Sequence, residues 1–125
     1  MKKILLIEDD PFLVDIYNTK LKESGFSIEV ATDGEKGLRE LSEKKFDLLL
    51  LDIVLPQIDG WEILEKIKAL SANIEYLKNL QIVILSNLGQ KEEVEKGIKM
   101  GAIKYLIKAH YTPSEVVTEI EQLLK

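Results

Sequence analysis

The sequence predicts an α/β protein built on one parallel sheet with helices packed on both faces. Three observations predict it. Four short runs are almost wholly apolar and a fifth is strand-like, five stretches with helical apolar spacing alternate with them, and helix-start residues stand just ahead of most of those stretches.

The first run, Ile4 to Ile7, is apolar at every position, as a strand buried on both faces requires. Asp10-Pro11 then supplies a helix cap and a first-turn proline. Leu13, Ile16, Tyr17 and Leu21 follow at helical spacing, and Gly25 closes the helix. Ser27 to Ala31 forms the second strand, and Asp33-Gly34 opens a helix with Leu38 and Leu41 facing inward. Leu48 to Leu51 is the third strand, ending at Asp52-Ile53-Val54. Asp59-Gly60 starts a helix carrying Ile63, Leu64, Ile67 and Leu70. Ile82 to Leu85 is the fourth strand, followed by a helix from Gln90 to Met100 that stops at Gly101. After the fifth strand, Tyr105 to Ile107, Thr112-Pro113-Ser114-Glu115 is a capping box with proline at the first helical position. Val116, Val117, Ile120, Leu123 and Leu124 complete the last apolar stripe. The stretch Ser71 to Leu80 admits two readings: a longer third helix, or a polar loop with Tyr76 and Leu77 packed down.

Length and composition bound the function. At 125 residues, with 46% hydrophobic and 31% charged residues, the chain reads as one folded domain, residues 1–125, with no room for an output domain. It has no cysteine, which excludes disulfides and thiolate metal sites and suits a reducing, cytoplasmic setting. The apolar run behind Met1-Lys2-Lys3 is too short for a signal peptide or a membrane span. A net charge of −5 argues against a nucleic-acid surface.

Function is written where polar residues interrupt the strands. The first run meets Glu8-Asp9-Asp10, the third Asp52, the fourth Ser86-Asn87 and the fifth Lys108. In an open parallel sheet these positions share the carboxyl edge, where such folds bind ligands. Crowded carboxylates repel one another, and the single Lys108 charge does not balance Glu8, Asp9 and Asp52. A divalent cation would. Oxygen ligands without His or Cys select magnesium, manganese or calcium, and a few carboxylates with open coordination positions suit magnesium. Cation, ammonium and hydroxyl together are equipped to hold a transferring phosphoryl group, with Asp52 as acceptor.

On the stretches Ile7 to Pro11, Leu51 to Pro56, Ile58-Asp59-Gly60, Leu85-Ser86-Asn87 and Gly101-Ala102 to Lys108, the chain resembles the receiver domains of two-component response regulators. The resemblance implies a flavodoxin-like (βα)5 fold with strand order 2-1-3-4-5. It implies a phosphorelay role outside ordinary enzymes, in which Asp52 accepts a phosphoryl group from a sensor histidine kinase or phosphotransfer protein and loses it slowly. By the same carry-over Asp9, Asp52 and the Val54 backbone carbonyl hold Mg2+ (or Mn2+), with Glu8 acting through water. Ser86 and Tyr105 form the switch, Lys108 pairs with phosphate, and Val54 and Leu88 set the lifetime of the mark. A downstream protein would read the fourth helix, fifth strand and fifth helix, residues 90–125, on a monomer or a phosphorylation-dependent dimer.

Three departures stand out. Ala109 follows Lys108 where the family has a cis proline; a cis bond there would cost about 2.5–4 kcal/mol, so the isomer stays open. Asn87 replaces a small residue, and the 71–80 connection is long. Bland roles cover other residues: capping explains Asp10, Asp33 and Asp59, partial core packing or a kinase contact explains Trp61, and His110 is a solvated loop residue. Rival functions fare worse. An aspartyl-phosphate phosphohydrolase wants a second aspartate where Val54 stands, and a flavin carrier wants a hydroxyl- or glycine-rich loop in place of Glu8-Asp9-Asp10. An adaptor that is never phosphorylated has no need of Asp9, Asp52, Ser86 and Lys108.

Overall fold

Strands that are apolar at successive positions need cover on both sides, and the computed structural model, which describes residues 1–125, supplies it. Strands β1 (Lys3–Ile7), β2 (Ser27–Ala31), β3 (Leu48–Leu51), β4 (Gln81–Ser86) and β5 (Lys104–Ile107) form one sheet in the order β2-β1-β3-β4-β5. Every neighbouring pair is parallel. The helices are α1 (Pro11–Glu23), α2 (Gly34–Glu43), α3 (Gly60–Ser71), α4 (Lys91–Lys99) and α5 (Pro113–Leu123).

The two-residue period of the strands divides the core in two. Ile4, Leu6, Leu48, Leu50, Val83 and Leu85 face Tyr17 and Leu21 of α1 and Val116, Val117 and Ile120 of α5. Leu5, Ile7, Leu49, Leu51 and Ile84 face Leu41 of α2 and Ile63, Leu64 and Ile67 of α3. The helix starts follow the caps read from the sequence. Asp10 accepts from the Phe12 and Leu13 N–H groups, Asp33 from Lys36, Asp59 from Glu62 and Thr112 from Glu115. No helix is long and apolar enough to cross a membrane.

The 71–80 connection matches neither reading in full. Helix α3 stops at Ser71, whose hydroxyl donates to the Lys68 carbonyl at 2.7 Å, and residues Glu75–Asn79 form a separate 3-10 turn. Tyr76 and Leu77 are packed down as expected: Leu77 is buried, and the Tyr76 hydroxyl donates to the Leu41 carbonyl at 3.1 Å. Burial of Leu77 and the Tyr76 hydrogen bond stabilise the turn.

Two glycines let backbone approach the sheet closely. A Cβ on Gly60 would lie 2.6 Å from the Ile53 Cα and 2.7 Å from the Asp52 carbonyl oxygen, so α3 can begin directly under the end of β3. A Cβ on Gly97 would lie 2.7 Å from both Ile84 Cδ1 and Tyr105 Cδ2, which seats α4 on β4 and β5.

Candidate functional site

Parallel strands bring Glu8, Asp9, Asp52, Ser86 and Lys108 to one edge of the sheet. Glu8 and Asp52 are buried there, at 2% and 6% exposure, although both are acidic. Lys108 answers for both. Its Nζ lies 2.8 Å from Glu8 Oε1 and 2.9 Å from Asp52 Oδ2. The remaining carboxylate oxygens meet backbone: Glu8 Oε2 accepts the Asp9 and Asp10 N–H groups at 3.1 and 3.2 Å, and Asp52 Oδ1 accepts the Val54 N–H at 3.3 Å. Asp9 is exposed, and one oxygen from each of Glu8, Asp9 and Asp52 lies within 4.8 Å of the others.

Three carboxylates therefore face one ammonium, the deficit of positive charge expected from the sequence. Burial raises the Glu8 carboxyl above its ordinary value, opposed by its hydrogen bond from Lys108 and reinforced by the Asp52 charge. Burial works to depress the Lys108 ammonium, but its hydrogen bonds to Glu8 and Asp52 prevail and hold it above the usual lysine value. An all-oxygen donor set with one solvent-facing member fits a hard divalent cation that retains waters.

Ser86 and Tyr105 converge on a single residue. The buried Ser86 Oγ accepts the Leu88 N–H at 3.3 Å, while the Tyr105 hydroxyl donates to the Leu88 carbonyl. The loop after β4 is thus held from both sides of Leu88, and Tyr105 is more than strand packing. Burial raises the Tyr105 hydroxyl above its ordinary value, with Glu93 adding to the effect. Val54 is 58% exposed at the mouth of the site, whereas Leu88 is half-buried against the core. The two residues expected to set the lifetime of the mark thus differ in setting, Val54 turned largely to solvent and Leu88 packed partly on the core.

The remaining expectations are settled locally. The Lys108–Ala109 bond is trans, as are all the others. Asn87 is exposed and, with Tyr17, Ala109 and Tyr111, lines a recess of about 430 Å³ beside Lys108. His110 is exposed in a short 3-10 turn. Trp61 packs partly on the core, with the Lys96 ammonium 4.4 Å from its ring centroid.

Sequence reasoning placed Glu8 on the metal through water and missed its ion pair with Lys108. It also took Tyr17 as plain core. Tyr17 is buried, and burial is the main cause of its raised hydroxyl, but the charges of Lys108, Glu8 and Asp52 all act on it. A phenol within an otherwise aliphatic stripe was the available signal.

Comparisons with known proteins agree with this geometry. The family profile described as response regulator receiver domain matches residues 4–121. Among curated proteins, the alkaline phosphatase synthesis transcriptional regulatory protein PhoP of Bacillus subtilis is 31% identical over 99% of the chain and 49% of its own length. The transcriptional regulatory protein CusR of Escherichia coli is 32% identical over 98% of the chain and 51% of its own length. The chain spans about half the length of these relatives. Among solved structures, a CheY-like receiver domain protein of Methanospirillum hungatei superposes with a TM-score of 0.86 at 27% identity, covering 99% of this chain and 94% of that one. The response regulator TrrA of Thermotoga maritima, solved in complex with Mg(2+)-BeF, gives 0.81 at 26% identity, covering 98% and 99%.

Proposed function

Because the chain belongs to the response-regulator receiver family of two-component systems, we propose that Asp52 is its phosphoacceptor and that Glu8, Asp9 and Lys108 prepare it for transfer. The observation that carries this reading is the bridge from one ammonium to two buried carboxylates, with exposed Asp9 beside them. A bound Mg2+, held by Asp9, Asp52 and the Val54 carbonyl with Glu8 in support, would supply positive charge against phosphoryl oxygens.

The protein's own part follows from the geometry. An Asp52 carboxylate oxygen forms the bond to phosphorus as the bond from phosphorus to the donor's imidazole nitrogen breaks. The imidazole leaves with that electron pair and takes a proton. Lys108 is already placed at Asp52 and exchanges a carboxylate partner for a phosphoryl oxygen. The Ser86 hydroxyl donates to the phosphoryl group while its Oγ accepts the Leu88 N–H, so the new bond ties the phosphoryl group to the loop after β4. Tyr105 holds the other side of Leu88, so a pull on Ser86 is transmitted to α4 and β5. Moving such a switch from 1:99 to 99:1 takes about 5.5 kcal/mol of differential binding, within reach of several charge-assisted hydrogen bonds.

The donor is a sensor histidine kinase or a phosphotransfer protein, and the reader engages residues 90–125. Neither Val54 nor Leu88 carries a group that orients water, which supports a long-lived mark. The test is incubation with acetyl phosphate or phosphoramidate and magnesium, followed by intact mass. One added phosphate is expected on the parent and none on Asp52→Asn; equal labelling of both would refute the assignment.

A further inference from the structure

The long connection before β4 builds a surface on the edge of the sheet opposite Asp52. Leu77 and Leu80 from the connection stand beside Leu64 and Ile67 of α3, across from Met100 at the end of α4, around a recess of about 300 Å³. A second recess of about 260 Å³ continues along the seam between α3 and α4 and shares Leu64, Lys68, Lys99 and Met100 with the first. Together they form an open groove with an apolar floor.

Its rim is cationic in a chain of net charge −5. Lys68, Lys78 and Lys99 line it, against the single carboxylate of Glu65. Lys78 pairs with Glu75 at 3.0 Å, but Lys68 and Lys99 form no ion pair, whereas Lys44, Lys104 and Lys108 are each held by carboxylates. Lys68 lies in the last turn of α3 and Lys99 in that of α4. A helix end offers a cation only roughly half a charge, which leaves about half of each ammonium uncompensated.

We propose that this groove docks an acidic amphipathic segment of a partner protein. Its apolar side chains would lie on Leu64, Leu77 and Met100, and its carboxylates would meet Lys68, Lys78 and Lys99. The pairing of apolar floor and ammonium rim is the complement of a helix that alternates apolar anchors with acidic residues. A concave floor between two helices suits such a segment better than a flat bilayer surface. The site does not involve Asp52, so it stands apart from the phosphoacceptor reading, and it meets the 90–125 reader surface only at Lys99, Met100 and Gly101. Trp61, the sole tryptophan, precedes Leu64 by three residues on α3 and reports on the seam.

The test titrates the whole chain with a labelled synthetic helix carrying leucine at i, i+3, i+4 and i+7 and glutamate elsewhere. Anisotropy and Trp61 emission are the readouts. Saturable binding is expected in dilute salt, weakened at least about tenfold in the Lys68→Glu/Lys99→Glu variant and in Met100→Gln. Lys20→Glu on α1 should bind as the parent does, and all variants should still label with acetyl phosphate. No saturable binding, equal binding of a peptide with lysine in place of glutamate, or undiminished binding by the charge-reversed variant would each overturn the proposal. Anionic phosphatidylglycerol vesicles that bind through the same lysines would overturn it in favour of a membrane surface.

Discussion

Replacing Lys108 with methionine keeps an unbranched apolar side chain and removes the charge that Glu8 and Asp52 share. Both carboxylates are almost fully buried and each lies within 3 Å of the ammonium, at 2.8 and 2.9 Å. Breaking a buried pair by removing one partner costs about 3–5 kcal/mol. Here the lower end applies, because backbone N–H groups still bind both carboxylates and one of them can take up a proton. The expected loss is about 3 kcal/mol, or roughly 10 °C in Tm for a chain of this size. Magnesium should return most of it in the variant, since the cation restores positive charge among the same oxygens. Saturation at about 100 times Kd contributes about 2.7 kcal/mol. Urea unfolding of parent and variant, with and without magnesium, measures both terms. In Lys108→Met/Asp52→Asn the penalty should shrink, since only Glu8 is left uncompensated. A loss below about 1 kcal/mol without magnesium, or a double variant no better than the single one, would refute the shared-ammonium account.

Gly60→Ala forces a Cβ against the backbone of Ile53 and Asp52 and should cost about 3 kcal/mol in thermal unfolding, with Asp52 labelling slowed because the end of β3 is displaced. Tyr105→Phe keeps the ring beside Gly97 but leaves the Leu88 carbonyl without its donor; about 1 kcal/mol should be lost in urea unfolding while acetyl phosphate labelling persists. The hydrogen bond from Lys44 holds the Glu40 carboxyl below its ordinary 4.5, so this stabilisation is complete above 4.5 and disappears as pH falls through the lowered value. Glu40→Gln should therefore lower Tm near neutrality and converge with the parent in acid. Loss of phosphate from labelled protein in magnesium should take minutes or longer, because neither Val54 nor Leu88 can orient an attacking water, checked by quenched mass measurements; decay within seconds would refute that account.

Much of the architecture was legible because its signals are local. Continuous apolar runs such as Leu48 to Leu51 need no partner to be recognised as doubly covered strands, and Asp10, Asp33, Asp59 and Thr112 cap helices through bonds to residues two or three positions away. The acidic and basic strand ends were legible for the same reason: each breaks an apolar run next to it. Their convergence on one edge then follows from the parallel sheet.

Tertiary structure alone decided how those groups divide their charges. That Lys108 serves Glu8 and Asp52 together depends on three strands meeting at a common height, a relation across 100 residues for the Glu8 pair and 56 for the Asp52 pair, which no spacing along the chain encodes. The grip on Leu88 from Ser86 and Tyr105, the outward turn of Val54 and the 3-10 turn at Glu75–Asn79 are of the same kind. In each, local propensity permits several conformations, and burial or hydrogen bonding with residues distant in sequence selects one.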